Sequence, residues 1–299
     1  MHCAVDYANI NMMKTAILTD TSCGISREET KRLGYEMIAL PFLLDEVEYD
    51  EDKLTKKEFY EKLKNSNEIH TSQAPVKTVV ETFDRLLKEY DNILYLPITS
   101  GLSSAYQSII PIIEDEYKDK VIAVDHKTIS VLQRAMLEDV VKCLDKGLDL
   151  MTIKQKLEAN AKNNRIYIAV DTLEYLKKGG RVSALSAAVG NILNIKPILF
   201  SNGNKFDVVK KARGIKQAED EIINLVKNDF EELFSGESIE HFKLGVAYTE
   251  CVDEASKFKE TVEETFKTNV FFDELSTVIG CHIGSGAVAA AIYKKLDEN

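Results

Sequence analysis

Asn92–Leu144, NILYLPITSGLSSAYQSIIPIIEDEYKDKVIAVDHKTISVLQRAMLEDVVKCL, decides the fold class. Asn92 to Thr99 is a continuous apolar run of strand length, and Ser103 to Tyr117 has the spacing of an amphipathic helix. Val121 to Asp125 repeats the strand pattern, and Val131 to Leu144 repeats the helical one. Strands that are apolar on both faces and alternate with helices belong to a sheet covered on both sides. The pattern therefore predicts an α/β fold with a mainly parallel sheet.

The same alternation extends toward the N-terminus. Thr15-Ala16-Ile17-Leu18-Thr19 reads as a buried strand ending at Asp20, and Ser26 with Glu29 makes a capping-box pattern for a helix stopped by Gly34. Met37 to Leu44 is strand-like, and Thr55-Lys56-Lys57-Glu58 opens another helix. Pro75 suits a first helical turn, with Val76, Val79, Val80, Phe83 and Leu87 on one face.

Toward the C-terminus the grammar changes. Ile166 to Val170 is a strand, and Asp171 to Lys178 is a short helix closed by Gly179-Gly180. Pro197 to Phe200 and Lys205 to Lys211 flank Ser201-Asn202-Gly203-Asn204, a hairpin signal that brings antiparallel pairing. A helix follows over Lys216 to Lys227. Strands at Leu244 to Tyr248 and Val270 to Phe272 bracket another helix near Glu254 to Phe266. An alanine-rich helix is expected from Gly286 to the end. The expected organisation is a leader or tag remnant over 1–13, an N-terminal α/β domain over 14–163, and a C-terminal α/β domain with a mixed sheet and helices over 164–299. The boundary lies in the polar stretch Ala161-Lys162-Asn163-Asn164.

Composition narrows the function. The net charge of -11 argues against a nucleic-acid partner and against anionic membranes. No apolar run reaches the 18 or so residues of a membrane span, and Met1 to Met13 lacks the layout of a secretory signal. The five cysteines are scattered, with no CxxC pair, which suits reduced thiols in a cytoplasm and fits neither a disulfide framework nor a zinc site. No metal ligand set is expected. A small molecule or a protein is the expected partner.

Several blocks concentrate hydroxyls, glycines and one histidine. They are Asp20-Thr21-Ser22, Thr71-Ser72-Gln73-Ala74-Pro75, Thr99 to Tyr106, Asp171 to Ser183, Leu193 to Leu199, Lys211-Ala212-Arg213-Gly214, and His282-Ile283-Gly284-Ser285-Gly286. Thr71 and Ser103 each follow an apolar segment and precede a helix. A hydroxyl there either caps the helix or donates to an anion at its positive end, and one hydroxyl can do both. His282 reads as a structural histidine or as a ring N–H donor to a carboxylate. Arg181 and Arg213 are turn arginines, and either reads as a structural ion pair with Asp171 or Glu174. Asp20 and Thr21 end the first strand, at the sheet edge where ligands of open α/β sheets bind or where the chain simply turns. Gly284 to Ala289 also fits a G-x-G-x-x-A fingerprint. Too little chain follows for the second strand and ribose-binding acid that a dinucleotide site needs, so only a general anion-binding turn remains.

The seven blocks, in this order, resemble the DegV family over about Lys14 to the C-terminal segment. Two departures are Ser104-Ala105, where the family has glycine and threonine, and Ser285, where it has proline. The resemblance implies a non-catalytic protein that buries one long-chain fatty acid and uses no cofactor. It implies that Thr71, Ser103, Ser104 and His282 bind the carboxylate, with Asp20, Thr21 and Arg213 near the head group or a partner. It further implies presentation of the acid to an ATP-dependent fatty acid kinase, which makes an acyl phosphate for phospholipid synthesis. Burial of about 14 methylenes at roughly 0.8 kcal/mol each gives a gross ~11 kcal/mol for the tail. Phe42, Val170, Ala184, Ala188 and Ile192 are first guesses for tunnel residues, with core packing as the default for each. The alternative is a hydrolase or phosphotransferase using Ser103 as nucleophile and His282 as base. A third reading is a regulatory or scaffold protein without a ligand. No P-loop, G-x-S-x-G or H-E-x-x-H motif occurs.

Overall fold

A computed structural model describes residues 13–51, 53–187 and 195–296. In chain order the first half contains β1 (Thr15–Asp20), α1 (Arg27–Leu33), β2 (Tyr35–Ile38), β3 (Phe42–Leu44), β4 (Val47–Tyr49), α2 (Lys56–Asn65), β5 (Ile69–Thr71), α3 (Val76–Leu86), β6 (Asn92–Leu96), α4 (Ala105–Glu116), β7 (Val121–Ala123), α5 (Val131–Asp145) and α6 (Leu150–Asn160). The second half contains β8 (Arg165–Ala169), α7 (Glu174–Gly179), α8 (Ala184–Ala187), β9 (Ile195–Ser201), β10 (Asp207–Arg213), α9 (Ile215–Glu232), β11 (Phe242–Tyr248), α10 (Val252–Phe266), β12 (Val270–Glu274), α11 (Thr277–Ile283) and β13 (Val288–Lys294).

These form a mixed α/β structure. β2, β1, β6 and β7 make a four-stranded, wholly parallel sheet in that order. A six-stranded sheet runs β10-β9-β8-β13-β11-β12, antiparallel except for the β11–β12 pair. A small antiparallel sheet, β4-β3-β5, carries Thr71 at its end. Local signals act where expected: Ser26 accepts from the Glu29 N–H, Thr55 and Glu58 complete a capping box, and Gly34 ends α1 in the left-handed region. We propose dividing the chain near Asn163, because the described strands up to β7 lie in the first and third sheets and those from β8 in the six-stranded one.

Two expectations are corrected. Met37 to Leu44 is not one strand: β2 and β3 belong to different sheets, and Pro41, which has no N–H to give a ladder, lies in the break. The segment after Gly286 is not a helix but β13, paired on one side with β8 and on the other with β11. Its residues alternate between two cores. Ala289, Ala291 and Tyr293 face one, and Val288, Ala290 and Ile292 face the other. Tertiary pairing overrides the helical preference of alanine because both faces of this strand are buried.

α5 binds the two larger sheets together. Its Arg134 bridges Glu29 at 2.7 Å and Asp273 at 2.6 Å, and Lys243 of β11 meets Asp139 at 2.7 Å and the Ala135 carbonyl at 2.8 Å. Gly245 lets the helix approach, since a Cβ there would lie 2.7 Å from a methyl of Val131. Removing one partner of such a buried pair costs about 3–5 kcal/mol, so the faces on either side of the cavity described next are held in one relation.

Candidate functional site

A narrow cavity of about 70 Å³ lies between the carboxyl ends of the parallel strands and one face of the six-stranded sheet. On the scale where one water needs on the order of 10–15 Å³, it admits a slender occupant. The loops after β2, β6 and β7 supply Leu40, Ile98 and Ile129, and alternate residues of β8 and β13 supply Ile166, Ile168, Ala289 and Ala291. The alanines of β13 make room that larger side chains would fill. Val278, Ile279 and Ile283 of α11 close another wall.

The polar side chains on this apolar wall are Thr71, Ser72, Ser103, Ser130, Arg181 and His282. Thr71 Oγ1 and His282 Nε2 are 2.8 Å apart, joining the end of β5 to the last turn of α11. Burial, and then the charge of Arg181, drive the His282 pKa down to about 3, so the imidazole is neutral near neutral pH. Its Nδ1 is buried without a hydrogen-bond partner among the described residues. That side of the ring lies against Gly179, where a Cβ would fall 2.0 Å from Nδ1. The absence of a side chain at 179 is what gives the histidine its place.

Ser103 Oγ accepts from the Ala105 N–H at 3.3 Å and keeps its own proton for another acceptor. Arg181 is half-buried, and desolvation lowers its pKa. Its Nε donates to the Leu102 carbonyl at 3.1 Å and one terminal nitrogen donates to the Gly179 carbonyl. The expected ion pair with Asp171 or Glu174 is absent: Lys196 takes Asp171, and Lys178 takes Glu174 at 2.8 Å. Among the described residues no carboxylate neutralises Arg181. A buried charge without a counter-ion is costly unless an anion joins it. Sequence reasoning missed this role because two acids lie close to Arg181 in the chain.

Other expected residues stand apart from the cavity lining. Ser104 is exposed and donates to Gln73 Oε1 at 3.0 Å. Asp20 is buried, its carboxyl raised above the usual range by desolvation, and it accepts from the Ser22 and Ile98 N–H groups at 2.9 and 2.7 Å. Thr21 Oγ1 accepts from the Leu40 N–H at 3.1 Å. Both residues therefore fix the loops that carry Ile98 and Leu40. Arg213 ends β10, exposed, its N–H bonded to Gln217. Of the tunnel guesses, Phe42 packs on Phe59 and Tyr49, Val170 is in the core away from the cavity lining, and Ala184 is exposed. Ala188 and Ile192 lie outside the described residues.

A family model for the DegV family of uncharacterised proteins matches residues 14–295. The chain belongs to the DegV family. A DegV domain-containing protein of Streptococcus pneumoniae is 32% identical over 283 residues, covering 93% of this chain and 98% of that protein. Among solved structures, a fatty acid binding DegV family protein from Streptococcus agalactiae is 29% identical with a TM-score of 0.83, covering 95% of this chain and 99% of that one. DegV from Bacillus subtilis, described as a fatty acid binding protein, is 28% identical with a TM-score of 0.79, covering 95% and 100%.

In this DegV protein the two glycine-rich blocks pack on one another. A Cβ on Gly284 would lie 2.6 Å from the Tyr175 ring, and one on Gly286 would lie 2.8 Å from the Asp171 carboxylate. The His282–Gly286 turn follows α11 and leads into β13, so the anion-binding turn opening a helix is replaced by a turn opening a strand. No helix among the described residues is long and apolar enough to cross a membrane. No group of three or more metal-ligating side chains is assembled among the described residues.

Proposed function

We propose that this protein binds a long-chain fatty acid in the cavity, its carboxylate held by Arg181, Thr71 and Ser103 and its alkyl chain lying along β8, β13 and α11. The observation that carries this reading is Arg181, a half-buried cation with no acidic partner among the described residues, sharing an otherwise largely apolar cavity lining with hydroxyls. Fatty acid binding by the two relatives, each at more than a quarter identity over nearly the whole chain, supports it. His282 acts through Thr71. Placing the ring proton on Nε2 spares Nδ1 from being a buried, unpaired donor. The Thr71 hydroxyl then accepts from His282 and turns its own proton toward the carboxylate.

Binding is favoured over turnover. A Ser103–His282 dyad needs the histidine on the serine and basic near neutral pH, whereas His282 meets Thr71 and its pKa is near 3. Mass spectrometry of lipid extracted from gently purified protein tests the ligand class. A fatty acid at near-stoichiometric yield is expected, and its absence together with no measurable uptake of added acid would sink the reading.

The finer part of the proposal is that the bound acid is presented to an ATP-dependent fatty acid kinase for acyl phosphate formation. Arg213, exposed at the end of β10 and away from the cavity lining, suits contact with such a protein better than contact with the carboxylate. The free thiols among the described residues fit a cytoplasmic setting, where we place the protein. Arg213→Ala is expected to keep fatty acid affinity while lowering the acyl phosphate trapped as hydroxamate in a reaction with kinase and ATP.

A further inference from the structure

A polar group on a different element faces the same cavity. Ser130 is the N-cap of the 15-residue helix α5, yet its hydroxyl makes no capping bond. Its N–H donates to the Ser22 carbonyl at 2.8 Å, and its carbonyl accepts from the Arg134 N–H at 3.0 Å. The residue is only 5% exposed, lines the cavity, and its Oγ is buried with no partner among the described residues. Its backbone sits at φ 54°, ψ -132°, a region that residues bearing a side chain seldom occupy. Ile129, Val131 and Ala247 share the lining with it.

Buried hydroxyls are nearly always hydrogen-bonded, because one left unpaired forfeits the bond it made to water. Alanine would avoid that loss, and glycine would also relieve the backbone. The head-group cluster does not use Ser130: Thr71, Ser103, Arg181 and His282 come from other elements, and none bonds to it.

We propose that Ser130 is a second polar subsite, selecting acyl chains that carry a hydrogen-bonding oxygen, as a hydroxyl or keto group. The inference rests on the fatty acid reading of the cavity. Ser130 Oγ can donate to a keto oxygen, and can donate to or accept from a hydroxyl. The positive end of α5 favours an electronegative atom at the same place. An oxygen elsewhere on the chain would meet apolar wall and lose its hydration without return. Selection is therefore specific to position.

The test titrates lipid-stripped protein with octadecanoic acid and with hydroxyoctadecanoic acids substituted at successive carbons. Wild type, Ser130→Ala and Ser130→Gly are compared, the glycine variant accommodating the positive φ without strain. One positional isomer is expected to bind wild type roughly three- to tenfold more tightly than it binds either variant. Affinity for octadecanoic acid is expected to be unchanged or improved in both variants. If octadecanoic acid binds normally and every isomer binds wild type and Ser130→Gly alike, the subsite is refuted. Failure of octadecanoic acid itself to bind wild type overturns the fatty acid reading, and this inference with it.

Discussion

One polar cluster is buried at the carboxyl ends of the parallel strands and another, half-buried, lines the cavity, and they differ in whether their valences are filled. In the first, Asp20 accepts from the Ser22 and Ile98 N–H groups, and the Ser22 hydroxyl lies 2.5 Å from Asp20 and 2.8 Å from Gln133 Oε1. Gln133 Nε2 donates to Thr19 Oγ1 and to the Leu96 carbonyl. In the second, among the described residues, Arg181 has no carboxylate and His282 Nδ1 no partner, and Ser103 holds a spare proton. Both clusters are built from hydroxyls and one strongly polar group. A filled network fixes loops, while an unfilled one on a cavity wall is poised for a ligand.

The contrast makes opposite demands on stability and affinity. The largest effect is expected from Asp20→Ala, which strips the acceptor from three donors and should lower unfolding free energy by about 3 kcal/mol or more, at roughly 1–3 kcal/mol for each buried donor left unpaired, read by urea denaturation of the ligand-free protein. A loss below about 1 kcal/mol, the worth of one ordinary hydrogen bond, would break the distinction. Arg181→Gln should do the reverse. Fatty acid affinity falls by about 2–5 kcal/mol, while the ligand-free protein keeps or gains stability because an uncompensated charge is gone.

Smaller effects sharpen the head-group assignment. Thr71→Val and Ser103→Ala should each weaken acid binding by about 1.5–3 kcal/mol, the worth of a hydrogen bond to a charged group; calorimetric titration showing unchanged affinity in the double variant would remove both from the site. The least effect concerns pH. Burial takes His282 from an ordinary 6.5 to about 3 and His126 to about 4 when folded. The unfolded chain therefore binds the extra protons below about 6.5, and stability falls as pH drops from there toward 4. The slope is about 1.4 kcal/mol per pH unit for each histidine. His282→Gln should remove one histidine's share of the slope, read from unfolding free energies between pH 7 and 5. An unchanged slope would mean that His282 is not held neutral by the fold.

Local patterns made much of this legible in advance. The alternation over residues 92–144, the caps at Ser26 and Thr55, and the hairpin at Ser201–Asn204 all depend on neighbours in the chain, and they formed. Thr71, Ser103 and His282 were named from their blocks, and the fold brings all three to one cavity. Tertiary structure alone decided the rest. β13 became a strand because two partners and two cores claimed its alternate residues, which a run of alanines does not announce. Among the described residues Arg181 has no counter-ion, since Lys196 and Lys178 hold the nearby acids, and Ser130 Oγ has no partner, since the start of α5 places it on a mostly apolar cavity lining. Backbone preference is set by residues a few places apart, whereas the pairing of a charge or a hydroxyl depends on which distant groups the completed fold brings within about 3 Å.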